Sequence, residues 1–198
     1  MSSKNLIILL VAVGVIGLII MTGVGKYNRI ISLDTEVQNS WAKVQTAYQR
    51  RSDLIPNLVN TVKGYADFEQ ETLTKVIEAR QQVTNLQVDP ANLTPEAMAQ
   101  FQQAQGQLSG ALSRLLVTVE RYPELKADAR FADLQHELAS TENQIKFERD
   151  AFNNTSTGYN KYIRQFPNNL FAGIFGFAQR SLFEAEAGAE NAPEVSFD

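Results

Sequence analysis

Residues 131–166 read FADLQHELASTENQIKFERDAFNNTSTGYNKYIRQF. Phe131, Leu134, Leu138, Thr141, Ile145, Glu148, Phe152, Thr155, Tyr159, Tyr162 and Phe166 follow one another at alternating spacings of three and four. That alternation returns side chains to one stripe of an α-helix, and only Gly158 weakens the run. At its ordinary rise such a helix is about 54 Å long. An element of that length with a single apolar stripe needs partners along its whole length, so the fold is expected to be all-α, built of long packed helices. Thr141, Glu148 and Thr155 put polar groups into the stripe. Groups of that kind set register and oligomer state when they find partners, and Glu148 is expected either to reach water at the seam edge or to pair with an Arg of this or a neighbouring chain.

Working outward, Thr94-Pro95 reads as the cap and first position of a preceding helix. Met98, Phe101, Gln105, Leu108, Leu112, Leu115, Val119 and Tyr122 carry the same alternation up to Pro123. Leu58, Val62, Tyr65, Leu73, Val76, Val83 and Leu86 mark another helical segment, ending before Asp89-Pro90. Ile30, Leu33, Val37, Trp41, Val44 and Tyr48 mark the first. Between these two lie Arg50, Arg51, Asp53 and Pro56. Cations suit a helix C-terminus, Ser52 or Asp53 an N-cap and Pro56 a first turn, so a helix–helix corner is expected near residues 51–54. The alternative is one helix kinked at Pro56, because the stripe resumes in phase at Leu54 and Leu58.

The run from Leu6 to Val24, LIILLVAVGVIGLIIMTGV, holds no charge over nineteen residues, and Lys4 is the only charge before it. It matches the roughly 30 Å hydrocarbon core of a bilayer and exceeds the apolar region of a signal peptide. A retained transmembrane anchor is expected, with Leu6, Leu10, Ile16, Ile20 and Val24 along it. The flanking Lys4, Lys26 and Arg29 are too balanced to orient it. Beyond Phe166-Pro167, Leu170, Phe171, Ile174, Phe175, Phe177, Leu182 and Phe183 crowd a short segment that must be covered by the bundle, by lipid or by another subunit. Phe171, Phe175 and Phe177, with Glu148, are the packing or oligomerisation candidates. The expected organisation is an anchor at 1–25, a bundle at 26–167, a Phe-rich segment at 168–184 and an acidic tail at 185–198.

The net charge of −4 is concentrated in the tail, since the body carries equal numbers of acids and bases. Without a basic run, nucleic-acid binding is not expected. The chain has no Cys, which removes thiol nucleophiles, disulfides and thiolate metal sites. Asp133 and His136 form a D-x-x-H pattern, but a dinuclear bundle site needs a second histidine motif and His136 is the only His. His136 also stands among charged neighbours outside the stripe, as a solvated histidine does. No glycine-rich phosphate loop occurs. Neither catalytic residues, nor a metal, nor a cofactor is expected.

One further pattern spans nearly the whole chain: Tyr27-Asn28, Trp41-Ala42, QRRSDLIPNLVNTVKGYADFE from Gln49 to Glu69, Ala79-Arg80, Tyr122-Pro123, Leu125-Lys126, Glu142-Asn143, Tyr159-Asn160 and Phe166-Pro167. It resembles the LemA family of bacterial proteins. Phe152-Asn153 departs from the Tyr-Asn that the resemblance leads one to expect, losing a hydroxyl. The resemblance implies a single N-terminal anchor and an antiparallel up-and-down bundle of four helices. The residues themselves also allow three helices, the first kinked. It brings no catalytic residues. Some relatives look like lipoproteins, with a Cys near the position of Gly25, which implies a bundle outside the cytoplasm on the bacterial inner membrane. The function expected is a non-enzymatic, self-associating scaffold at the cell envelope, partnered by lipid and by copies of itself. The alternative is a monomeric adaptor presenting its bundle or acidic tail to an envelope protein.

Overall fold

A computed structural model of the chain describes residues 3–65, 68–86, 88–91 and 93–184, apart from the side chains of Ile8, Leu9, Val15, Ile16 and Ile19. The acidic tail, and the side chain of Ile16 expected in the anchor, therefore lie outside the described residues. The described chain is helical: α1 Ser3–Lys63, α2 Gln70–Asn85, α3 Pro95–Val119, the short α4 Pro123–Lys126, α5 Ala129–Arg164 and α6 Asn168–Phe175. The bundle-forming half of α1 runs antiparallel to α5, matching Trp41 to Phe152 and Arg51 to Glu142. α2 and α3 form an antiparallel hairpin laid against them. The result is an up-and-down bundle of four long helices.

The corner expected at residues 51–54 does not exist. α1 continues through Pro56 to Lys63, because the apolar positions on either side of the proline share one stripe: Val44, Tyr48, Ile55, Leu58 and Val62 are all buried. Proline costs a helix the hydrogen bond to the carbonyl four residues back, here that of Ser52. That carbonyl instead accepts a hydrogen bond from Arg80 Nε of α2. The chain turns later, at residues 64–69. There the Gly64 and Tyr65 amides donate to the Thr61 and Val62 carbonyls, tightening the end of α1 and leaving Glu69 to precede α2. Lys63-Gly64 is an ordinary helix stop, with a cation in the last turn and a glycine after it.

Thr94 caps α3 through its side chain, with Pro95 at the first position as expected. Asp128 caps α5 by accepting from the Arg130 and Phe131 amides. The stripe of α5 holds through Phe131, Leu138, Thr141, Ile145, Glu148 and Phe152, then moves on by one residue to Ser156 and Ile163 in place of Thr155 and Tyr162. Phe166 ends 81% exposed. A straight helix drifts by about 20° per heptad against a 3.5-residue repeat, and after more than three heptads the next residue along has rotated into the seam.

Among the described residues, which leave out the side chains of Ile8, Leu9, Val15, Ile16 and Ile19 inside the uncharged run, no helix is long and apolar enough to cross a membrane, so the fold by itself does not bear out the transmembrane anchor expected at 1–25. The described side chains of the N-terminal arm of α1, among them Leu6, Leu10, Ile20 and Val24, are exposed.

Candidate functional site

The apolar interior is two cores rather than one. The first gathers Ile30 to Tyr48 of α1, Met98 and Phe101 of α3, and Ile145 to Ile163 of α5. The second gathers Ile55 to Val62, Leu108 to Val119 and Phe131 to Leu138 of the same helices. Arg51 fills the gap, with only 2% of its surface exposed. Its Nη1 donates to Ser109 Oγ at 2.9 Å and to Glu142 Oε2 at 2.8 Å, and its Nη2 to Gln105 Oε1 at 2.8 Å. The guanidinium also lies 5.2 Å from the Tyr48 ring centroid. Burial pushes the Tyr48 phenol up, against the opposing pull of Arg149 and Arg51. One cation thus ties α1, α3 and α5 at mid-height. A buried guanidinium is tolerated only where several acceptors converge, so it fixes the register of the three helices.

Arg51 accordingly belongs to the bundle interior and not to a corner. Arg50, Asp53 and Pro56 are exposed on the outer face of α1, where Asp53 accepts from Gln49 one turn earlier. Gln105, expected as a polar seam residue, meets Arg51. Glu148 accepts from Gln144, and among the described residues it forms no ion pair with an Arg. Asp133 and His136 are both exposed, and among the described residues no group of three or more His, Cys, Asp and Glu side chains could hold a metal ion.

The second feature is a strap, residues 177–184, which leaves α6 through Gly176 and runs back along α5. Gly176 has φ 74°, a left-handed conformation that closes α6 at little steric cost for glycine. Asn160 receives the Arg180 amide on Oδ1 at 2.8 Å and donates through Nδ2 to the Arg180 carbonyl at 2.8 Å. Asn153 holds Phe183 in the same two-bonded way. Seven residues of helix rise about 10.5 Å, and three residues of extended chain span about 10 Å, so the two Asn side chains act as rungs for an extended strap. The Tyr159 hydroxyl adds a third bond, donating to the Ala178 carbonyl. Phe183 enters the first core, where its ring centroid lies 5.6–6.3 Å from those of Trp41, Phe152 and Phe101. Arg180 closes the strap, with Nη2 2.6 Å from Asp34 Oδ1 on α1 and Nη1 2.7 Å from the Ala91 carbonyl in the α2–α3 connection. In the sequence the paired Phe152-Asn153 and Tyr159-Asn160 dipeptides read as an aromatic seam. That they grip a backbone could not be seen without knowing where residues 177–184 return.

The third feature is the end of the bundle where α1 emerges from its uncharged run. α6 packs there. The Phe171 ring lies so close to Gly23 that a methyl group on Gly23 would stand 3.1 Å from its Cε1. Tyr27 meets Phe175 edge-on at 4.8 Å and Phe177 at 5.7 Å. Phe171 and Phe177 are thus partly buried against the first core, whereas Phe175 is half exposed. Much of the Phe-rich segment is spent capping its own bundle.

The sequence profile of the LemA family matches residues 40–197, most of the chain and the whole of the bundle beyond the start of α1. The chain belongs to the LemA family. Among its relatives is Protein LemA of Metamycoplasma hominis, 27% identical over 170 residues that cover 86% of this chain and 74% of the relative. Magnetosome protein MamQ of Magnetospirillum gryphiswaldense is 24% identical, covering 91% of this chain and 74% of its own. Magnetosome protein MamQ 1 of Paramagnetospirillum magneticum is 22% identical, covering 83% and 67%. In this LemA-family chain the arginine belt, the strap and the capping helix all fall inside the matched region, while the uncharged run precedes it. The belt and the strap hold elements of the bundle together.

Proposed function

We propose that this LemA-family chain is a non-enzymatic, single-pass membrane protein of the bacterial inner membrane, whose bundle stands outside the cytoplasm as a rigid, self-associating scaffold. The observation that carries this reading is the unbroken course of α1 from Ser3 to Lys63. One helix serves both the uncharged run and the bundle, so an anchored arm would fix the bundle's direction relative to the bilayer without a hinge. Membrane anchoring is supported by the nineteen uncharged residues from Leu6 to Val24. The large side chains described in that run, among them Leu6, Leu10, Val13, Leu18, Ile20 and Val24, are apolar and exposed, an arrangement suited to lipid.

Self-association is supported by apolar side chains that the bundle does not cover, Phe147 at 67% and Val117 at 71% exposed. The test is the particle mass of full-length protein extracted directly into lipid nanodiscs. A uniform oligomer is expected, and a monomer at micromolar concentration overturns the scaffold. Protease added to spheroplasts should degrade the bundle, which fixes its side.

The adaptor reading rests on a groove of about 1050 Å3 between α3 and α5, lined by Tyr48, Arg51, Met98, Arg149 and Phe183. A chain acting in this way would be monomeric in nanodiscs and would lose a partner on deletion of residues 185–198.

A further inference from the structure

We propose that α6 and the bundle end around it form a second membrane contact, a surface that rests in the headgroup layer of an anionic bilayer. This rests on the reading of residues 6–24 as the anchor. If those residues span the bilayer, the height of α6 is fixed, because Phe171 packs on Gly23 in the last turn of the run and Phe175 on Tyr27 one turn further. α6 then lies at the boundary between hydrocarbon and headgroups.

Its chemistry suits that place. The inner face of α6 is Phe171 and Ala172, turned towards the bundle. Its outer face is apolar as well, with Leu170 54% and Ile174 74% exposed, and Phe166 just before it 81% exposed. A short helix that is apolar on its outer side as well, at the end of a bundle whose other outer faces are largely polar, gains from an apolar medium beside it. Around it stand cations without acids. Lys26 and Arg29 leave the run on α1, Lys161 and Arg164 occupy the last turn of α5, and no Asp or Glu occurs in residues 5–33 or 151–183. Lys26 lies over the Tyr162 ring at 5.9 Å, holding an aromatic and a cation at the same level. Apolar side chains beneath a collar of Lys and Arg complement the layered structure of an anionic lipid surface.

The absence of Cys allows a direct test on the full chain. Single substitutions Ile174→Cys, Val117→Cys and Gly14→Cys are each labelled with an environment-sensitive fluorophore. The protein is reconstituted into phosphatidylcholine–phosphatidylglycerol vesicles carrying a lipid quencher near the headgroups or deep in the acyl chains. The label at Ile174 is expected to be quenched at least about twofold more by the shallow quencher than by the deep one. The label at Val117, at the opposite end of the bundle, should be quenched by neither, and that at Gly14 by the deep one. An Ile174 label as unquenched as that at Val117, with Gly14 still quenched, overturns this proposal and leaves the anchor standing. A Gly14 label quenched by neither overturns the anchor, and this proposal with it. Vesicles of phosphatidylcholine alone should reduce the shallow quenching at Ile174 by about half, and equal quenching in both overturns the preference for anionic lipid.

Discussion

Arg80 and Ser52 are joined by a bond that exists because of a third residue: Arg80 Nε donates to the Ser52 carbonyl at 3.1 Å, the carbonyl to which Pro56 has no N–H to give. The proline that looks like a helix break is thereby turned into a tie between α1 and α2. Arg80→Met should destabilise the protein by about 1–3 kcal/mol, the cost of leaving a buried acceptor unmet. Pro56→Ala restores the helical donor, so in that background the same Arg80→Met change should cost at least about 1 kcal/mol less. Thermal or urea unfolding of the four proteins measures the coupling. Simple additivity would show that the Ser52 carbonyl is not the link.

At mid-height the deciding group is the Arg51 guanidinium, and the ranking of its partners runs against formal charge. Glu142 is 59% exposed, so Glu142→Gln should cost less than about 1 kcal/mol. Gln105 is buried, and Gln105→Leu removes an acceptor from a desolvated cation, which should cost about 2–4 kcal/mol. Melting temperatures of the two variants test the order. A larger loss from Glu142→Gln would place the energy of the belt at the surface.

The strap is held mainly by backbone bonds from two amides and by one aromatic ring. Asn153→Ala with Asn160→Ala removes four hydrogen bonds while leaving Phe183 in place. At about 1 kcal/mol net for each amide, local opening should rise by at least about tenfold. Trypsin cleavage after Arg180, read on folded protein, should speed up by that factor. Phe183→Ala should cost about 3 kcal/mol or more of global stability because its ring is buried in the first core. An unchanged cleavage rate would show that the two Asn residues do not carry the strap.

Acid should loosen the start of α5. Asp128 accepts from its own cap amides, from Arg130 and from the Tyr65 hydroxyl, and these contacts, the Arg130 and Tyr65 side chains foremost, hold its carboxyl at about 2, below the ordinary 3.8. A carboxyl depressed in the folded state stabilises above its unfolded value, and that contribution is lost as pH falls from about 4 towards 2. The stability difference between wild type and Asp128→Asn should be constant above about pH 5 and shrink through that window. A difference independent of pH would mean that the carboxylate charge contributes nothing at the cap.

The sequence is informative where spacing is the cause. The stripe of α5, the Thr94-Pro95 start of α3 and the uncharged N-terminal run are read from periodicity, capping chemistry and length alone. It is divided at Arg50, Arg51, Asp53 and Pro56, where capping and proline chemistry favour a corner while the stripe resuming at Leu54 and Leu58 favours the single helix that forms. The partners that override the corner signals, Ser109 and Gln105 on α3 and Arg80 on α2, lie far along the chain. The Lys63-Gly64 stop is visible, but the heptad positions on either side of it mask it. Long-range placement also hides the strap, since nothing local to Asn153 or Asn160 tells that residues 180 and 183 come back to them.

The rigid connection between the N-terminal run and the bundle is tested most directly by a distance. Spin labels on Gly14→Cys and Asn39→Cys, both at exposed positions of α1, are separated by 25 residues. In one continuous helix this is about 37 Å. Pulsed electron–electron resonance on full-length protein in lipid nanodiscs, diluted with unlabelled chains, should give a single narrow distribution near that value. A broad distribution, or one centred about 10 Å shorter, would mean that α1 bends where it leaves the run and that the bundle is not held in a fixed direction.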